Sequence, residues 1–529
     1  MASASVQQQV IRDDSVHIRS SAGGGRSVHA ARDFEAKSQI MFVAKPLLVA
    51  LNTANLIANC YSCLKPPREL QPGSNGQDST LKKCGGCKVV RFCNQKCQKL
   101  AWSQYHRLEC KLYGNLFPRI LPSNVRAMIR LLKQHKAGLL LAGEWDQLLS
   151  LESHVDQICS AGGERLEDLL LMTQAIKSYS GSDLDPQLIL RVLCTLTINT
   201  FTLTNPQFEP IGLALHPRTS MFNHSCVPNA YVRFDVSRSD SLSRPADSHG
   251  ISVHALQPLQ KDEEITLSYV DGKYPFEQRQ RELKERYFFI CACELCRSEK
   301  NAPVLPSRTS QKAKSVESHA ERVLSKVQSA PVVSLQHIDE IRTAMVAFAE
   351  PGCWPLYHYP WLQLRHELLQ GLIGSTKYSD ALLQSAAITR YIHPAVYEQP
   401  HHPIRLTQMW TLWNLCRTCV EAGFHPTDRA QDSRSLHMLN MLSCIVIDDL
   451  NKVLTDGIRI NGEIEYGVDE ALQLVAGRAG MWGEYQRAPT VARKNVWAWL
   501  ENEINCQLKK EGVSQTLIDE VSLNQGPSS

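Results

Sequence analysis

The sequence predicts an α+β, multidomain fold, on three observations. Short strand-like stretches fill residues 15–51 and return between Ile211 and Asp271. Eight cysteines and histidines at metal-ligand spacing crowd Cys60–Cys110 between them. From about residue 313 the pattern is helical almost to Lys510. A chain of 529 residues has room for roughly two to four domains with real cores. Apolar content of 43% and charge of 21% are ordinary for a globular protein. A net charge of +4 with a pI near 8.2, and no Lys/Arg stripe, set nucleic-acid binding aside as a primary role. The opening residues have no signal-type apolar region, and no window reaches membrane-span length. The 18 cysteines are therefore expected in a reducing compartment, cytoplasm or nucleus, where metal binding outweighs disulfides.

In order, Val16–Ile18 alternates, Ser21–Arg26 is a Gly-rich turn, and Ile40–Val43 is a second strand candidate. Such a turn lets backbone approach a ligand, though most are plain hairpin loops. Four ligand pairs follow: Cys60 and Cys63, Cys84 and Cys87, Cys93 and Cys97, His106 and Cys110. Eight ligands make two closed tetrahedral zinc sites, and the last two pairs, each four apart, share helix faces. Gly85-Gly86 suits a tight knuckle between ligands. So small a segment, with its polar excursion Gln71–Thr80, cannot bury much core, so metal must supply folding free energy. Spacing does not choose between interleaved and sequential pairing.

From Leu116 to about Ile198 the stripes at Arg126–Lys133, Glu164–Ile176 and Leu188–Leu193 predict packing helices. Ile251–Leu256 and Glu264–Tyr269 read as strands, and Ser237–His249 as a polar surface loop. Pro275–Tyr287 reads as an amphipathic helix with proline at its start. Between them, Met221–Asn229 joins an Asn-His-Ser triplet, a thiol and a Pro-Asn turn at a strand end, where ligands are often held. Cys291, Cys293 and Cys296 are one ligand short of a zinc site. Cys226 is the best fourth, with Cys159 and Cys194 as competitors and a disulfide as the disfavoured alternative. Glu299 to about Lys312 reads as a linker. Helices are expected at His337–Phe348, Trp361–Leu372, Leu406–Ala422, Ser435–Val453 and Val491–Leu508, without a clear repeat period. The tail Asn524–Ser529 is expected to lack order.

The cysteine cluster, with Phe92 and Trp102, resembles the MYND zinc finger better than a RING. The whole arrangement resembles the SET and MYND domain-containing protein lysine methyltransferase family, in ordered motifs over Ile11–Arg297 and more loosely beyond. The resemblance implies a β-rich SET core split by a MYND zinc finger and a helical insert, followed by an α-helical repeat-like C-terminal domain. Its divisions would be 12–55 (first part of SET), 56–114 (finger), 115–198 (helical insert), 199–290 (catalytic core), 291–298 (post-SET zinc segment) and 313–520 (helical, TPR-like). It implies interleaved zinc pairing: Cys60, Cys63, Cys93 and Cys97 on one ion, Cys84, Cys87, His106 and Cys110 on another. Cys226, Cys291, Cys293 and Cys296 match a third.

By the same resemblance, S-adenosylmethionine would be held by Gly23, Gly25, Arg26, Asn199, Asn223, His224 and Phe289. Ser27 stands where the family's turn has its last glycine. Tyr269, Tyr287 and Phe201 match the residues around the reacting lysine. The implied activity is methyl transfer to the side-chain amine of lysine in a protein, histone or non-histone. The other reading is a non-catalytic adaptor whose finger binds proline-rich peptides, as MYND fingers in resembling families do. For the strand tyrosine Tyr269, packing alone is the plainer role; a buried Asn223 would need partners.

Overall fold

Strands on either side of the cysteine cluster share the same sheets. The computed structural model describes residues 15–20, 25–67, 80–205, 208–235, 250–301, 310–330, 332–352, 354–423, 433–455, 462–477 and 479–523. Gly23, the expected excursion at 71–79, the polar loop 237–249, most of the expected linker and the tail 524–529 lie outside them. The chain divides into two units: residues 1–269 with 282–290, and residues 270–281 with 291–529.

In the first unit β1 (Val16–Ser20) and β2 (Arg26–Ala30) form an antiparallel hairpin that pairs Ser20 with Arg26. The strands β3 (Gln39–Val43) and β4 (Leu48–Leu51) precede the finger, which has its own ribbon of β5 (Lys82–Lys83) and β6 (Arg91–Phe92). After the helices come β7 (Phe201–Thr204), β8 (Pro210–Leu215), β9 (Asn223–His224), β10 (Ala230–Asp235), β11 (Gly250–Ala255) and β12 (Thr266–Leu267). The sheet orders are β10-β11-β3, β4-β8-β7 and β9-β12, the last parallel. The strands β3 and β4 therefore find their partners only in chain that follows the finger and the helices. Gly212 allows the β4–β8 approach, since a Cβ there would meet the Ala50 carbonyl oxygen at 2.2 Å.

The outer edge of β4 would expose unpaired carbonyls. The helix Ser123–Lys136 covers it: Arg126 Nη2 donates to the Leu51 oxygen and Arg130 Nη1 to the Val49 oxygen. That helix belongs to a group with Glu144–Leu149, Val155–Ala161, Gly163–Ser180 and Pro186–Asn199, packed around Met128, Ile129, Leu193 and Leu196. The stripes in the sequence predict the three longest of these. A second core joins the sheets to the finger, with Ile40, Phe222, Val253 and Leu267 in one cluster with Tyr61, Val90 and Phe92.

The expected strand Glu264–Tyr269 is regular only at Thr266–Leu267. Asn229 takes the place of a neighbouring strand there: its Nδ2 donates to the Glu264 carbonyl oxygen and its Oδ1 accepts from the Thr266 amide. The expected helix at Pro275 is present as Phe276–Tyr287.

The described part of the second unit is helical beyond Cys293. Helices at Leu335–Ala349, Trp361–Gly374, Pro403–Ala422, Ser433–Thr455 and Pro489–Lys510 contain the expected ones. Those at Gln311–Gln328, Tyr378–Ala387, Gly462–Gly477, Ala479–Arg487 and Gln515–Leu523 were not foreseen. The linker expected up to about Lys312 stops earlier, because the Ser310 hydroxyl caps a helix by accepting from the Ala313 amide. Among the described residues no helix is long and apolar enough to cross a membrane.

Candidate active site and metal centres

The finger's ligands interleave. Cys60, Cys63, Cys93 and Cys97 gather in one group and Cys84, Cys87, His106 and Cys110 in another, with the ligand atoms of each within 4.8 Å of one another. Cys63 and Cys93 sulfurs lie 3.7 Å apart and Cys84 and Cys110 sulfurs 3.8 Å. Tetrahedral zinc–thiolate geometry places sulfurs about 3.8 Å apart, so these groups fit zinc. All four positions of each are protein ligands, which marks structural sites. Gly86 is a required glycine, because a Cβ there would come 2.8 Å from the Cys110 sulfur. Asn94 starts the helix Gln95–Ala101 by accepting from the Cys97 amide, which sets that ligand's position.

His106 turns Nε2 to the thiols, 3.3 Å from Cys84 and 3.7 Å from Cys87. Its Nδ1 faces the buried Glu109, 3.8 Å away. Arg130 donates to Glu109 from Nε at 2.7 Å, and Tyr61 donates its hydroxyl to Glu109 at 3.0 Å. Arg130 pulls the Glu109 carboxyl below its usual range against the cost of burial. A carboxylate behind a metal-binding imidazole orients the ring. Since Arg130 also holds β4, this network ties the second metal centre to the sheet. The sequence offered no sign of it, because Glu109 and Arg130 are 21 residues apart and look like ordinary helix-surface charges.

The other candidate site forms where β9 and β12 run side by side. Asn223 Nδ2 donates to the Arg26 carbonyl at 3.0 Å and to Glu264 Oε1 at 2.9 Å. Both amide hydrogens are thereby committed, so Oδ1 is the group Asn223 can offer a ligand. The Tyr269 amide donates to His224 Nδ1 at 3.0 Å. A neutral His224 then carries its proton on Nε2, which lies 3.3 Å from the Cys226 sulfur. Around His224 stand Tyr269, with ring centroids 5.3 Å away, and Phe289, at 6.0 Å. Tyr287 lies 4.8 Å from Tyr269, and Phe289 meets Tyr269 edge-on.

The Tyr269 hydroxyl donates to the Phe222 carbonyl at 2.5 Å. With its hydrogen committed, its lone pairs remain to accept. Burial, helped by Tyr287 and Glu264, pushes this phenol well above its ordinary value. Burial also raises Tyr287. Neither is a base near neutral pH.

The remaining expected residues are placed less directly. Arg26 continues β2 and sends its guanidinium to the Ser150 carbonyl at 2.6 Å. Ser27 sits in β2, with its hydroxyl 2.9 Å from His29 Nε2. Asn199 spends its amide on the Glu152 and Thr195 carbonyls, each at 2.8 Å. Phe201 is half-buried on β7 against the sheet core, and among the described ring contacts none joins it to the tyrosines. Gly25 lies exposed at the start of β2. Cys226 is buried beside His224. In the second unit Cys291 is fixed by Gln280, which accepts from its amide at 2.9 Å and donates to its carbonyl at 3.0 Å. The buried Arg279 lies 3.6 Å from the Cys296 sulfur and bonds Glu299. Glu264 and Asn229 brace Asn223 and β12, a role that nothing in the sequence signals.

Residues 25–270 match the family model of the SET domain. The chain is similar to proteins of the SET and MYND domain lysine methyltransferase family. It is 24% identical over 336 residues to the SET domain and MYND-type zinc finger protein 6 of Schizosaccharomyces pombe, covering 63% of this chain and 59% of that one. It is 26% identical over 298 residues to human histone-lysine N-methyltransferase SMYD1, covering 54% and 57%. It is 27% identical over 298 residues to Arabidopsis thaliana histone-lysine N-methyltransferase ASHR1, covering 55% and 56%. The chain thus spans less than two thirds of the length of these relatives. The solved SET domain of LSMT bound to lysine and AdoHcy aligns with 92% of this chain and 89% of that one, at a TM-score of 0.29 and 11% identity.

Proposed function

We propose that this protein transfers a methyl group from S-adenosylmethionine to the side-chain amine of lysine in a protein substrate. The observation that supports this most is the Tyr269 hydroxyl, held protonated and aimed by the Phe222 carbonyl, inside a cluster with Tyr287, Phe289 and His224. The bound cofactor supplies a methyl on a sulfonium, and the carbon–sulfur bond breaks as the amine lone pair forms the new carbon–nitrogen bond. Asn223, through Oδ1, and His224 with its neighbouring backbone would hold the cofactor with Phe289 against its adenine, and Gly25, Arg26 and Asn199, with Gly23 by resemblance alone, are proposed to bind it with them. The Tyr269 oxygen accepts from the polarised methyl and from the amine. Tyr287 and Phe201 line the channel for the lysine. Aromatic faces attract both cations, and their apolar walls favour the deprotonated amine. A solvated lysine, with a pKa of about 10.4, is neutral in only roughly one molecule in a few thousand at pH 7, so its proton must leave to water before attack.

Cys291, Cys293 and Cys296 lack a fourth ligand in their own short segment, and Cys226 is proposed to complete a third structural zinc. Its replacement by serine should lower the zinc content from about three ions to two and weaken cofactor binding; unchanged metal content refutes the assignment. Trp102 stands 46% exposed on the finger, an aromatic surface of the type proline-rich peptides use, and such peptides are the proposed partners there. Calorimetry with S-adenosylmethionine separates enzyme from adaptor: the enzyme reading requires saturable binding, and a pure adaptor shows none.

A further inference from the structure

Two residues expected near the cofactor, and the chain neighbour of a third, are held by one short loop of the helical insert. The loop Ser150–His154 joins the helices Glu144–Leu149 and Val155–Ala161. Its Ser150 carbonyl accepts from Arg26 at 2.6 Å, and its Glu152 carbonyl accepts from the Asn199 amide at 2.8 Å. The His154 ring lies against Phe288, tilted by 30° with centroids 4.8 Å apart. Phe288 is the residue between Tyr287 and Phe289. Arg165 closes on it from the next helix, 5.3 Å over the Phe288 ring, while donating to the Glu285 carbonyl at 2.6 Å.

These two residues hold unusual backbone. Phe288 has φ 63° and His154 φ 48°, the left-handed region that side chains bearing a Cβ avoid. Phe288 ends the helix Phe276–Tyr287, its amide donating to the Lys284 carbonyl at 3.2 Å, a place where glycine is usual. The His154 Nδ1 is buried and has no hydrogen-bond partner among the described residues. Its ring is placed by the contact with Phe288.

We propose that Ser150–His154 is a positioning loop for the cofactor site, with His154 and Phe288 as a latch that fixes the turn between Tyr287 and Phe289. The idea rests on the methyl-transfer reading for its functional consequence, though not for its structural one. A left-handed turn at residue 288 sets the direction of the chain after the helix, so it sets where Phe289 stands relative to Tyr287. Without the His154 contact, only Arg165 and the edge of the helical core oppose the return of Phe288 to ordinary backbone. Arg26 and Asn199 are held by the same loop, so the latch orders both sides of the site together.

His154→Gly tests this, because glycine keeps the left-handed backbone and removes only the ring. In the cofactor-free protein, hydrogen exchange at residues 287–290 should quicken about threefold to tenfold, the worth of one aromatic pair. The melting temperature should stay at or near the wild-type value. S-adenosylmethionine affinity should fall by a similar factor, and His154→Phe should restore both. Wild-type exchange and affinity in His154→Gly would overturn the proposal. If the wild-type protein fails to bind the cofactor at all, the methyl-transfer reading falls, and the exchange measurement still decides the latch.

Discussion

Tyr269 has its proton fixed on both counts that matter. Burial raises its phenol well above the ordinary value, and its hydrogen is engaged by the Phe222 carbonyl. The rate of methyl transfer should therefore climb with pH as the substrate amine loses its proton, toward the ordinary lysine value of about 10.4. No limb from tyrosine should appear near neutrality, and a bell-shaped profile centred there would assign Tyr269 or another group as a base. Glu264 is the second residue on which the site turns, because it holds one hydrogen of the Asn223 amide. A charge-assisted hydrogen bond is worth about 1.5–3 kcal/mol, so Glu264→Ala should weaken cofactor binding at least about tenfold. Titration calorimetry reads this, and unchanged affinity would show that Asn223 is placed by other means. Asn223 and His224 could be picked out from the sequence as candidates because they share one Asn-His-Ser motif, and Tyr269 because the resemblance places it at the end of a separate strand motif. Glu264's role could not, since which of two adjacent glutamates faces the asparagine depends on the irregular course of β12.

At the scale of elements, the finger and the helix Ser123–Lys136 share a buried ion pair. Arg130→Met leaves the fully buried Glu109 without its cation and should cost about 3–5 kcal/mol. Removing both charges, with Glu109→Gln added, should recover part of that loss. Denaturant unfolding of the two variants checks the order; an Arg130→Met protein as stable as wild type would remove the network from the account. The metal ligands were legible because a thiol's spacing is a chemical signature. Their interleaving was not, since Cys93 follows Cys87 by only six residues and spacing permits either partner. The same limit hid β9–β12: a two-residue parallel ladder has no pattern of its own, and Asn229 supplies by side chain what a longer strand would supply by backbone.

Across the first unit, the finger lies in sequence between strands that pair with one another, and it shares their core. Stripping zinc with a chelator should therefore loosen β3, β4, β8 and β11 as well as the finger, seen as faster hydrogen exchange in those strands. Unchanged protection there would mean that the sheets stand without the finger. The second unit has a different sensitivity. Burial, and then Arg365, hold His366 down to about 4, below its ordinary value near 6.5. A depressed folded-state value gives stability that is whole above about pH 6.5 and is lost as pH falls toward 4. The fall in melting temperature over that window should flatten in His366→Gln, and an equal slope would exclude this histidine as a source. The helical character of this unit was legible from its apolar periodicity. Half of its helices were not, because Tyr378–Ala387 and Ala479–Arg487 are too short, or too evenly apolar, to show a face.

The central claim is that Tyr269 serves lysine methylation. Incubating purified wild-type protein and Tyr269→Phe with S-adenosylmethionine labelled in its methyl group, across an array of candidate proteins, tests it most directly. Label on lysine is expected with the wild type and at least about a hundredfold less with the variant, the cost of losing one preorganised polar group at the reacting atoms. Equal labelling by the two proteins, or label on some other residue type, would contradict it.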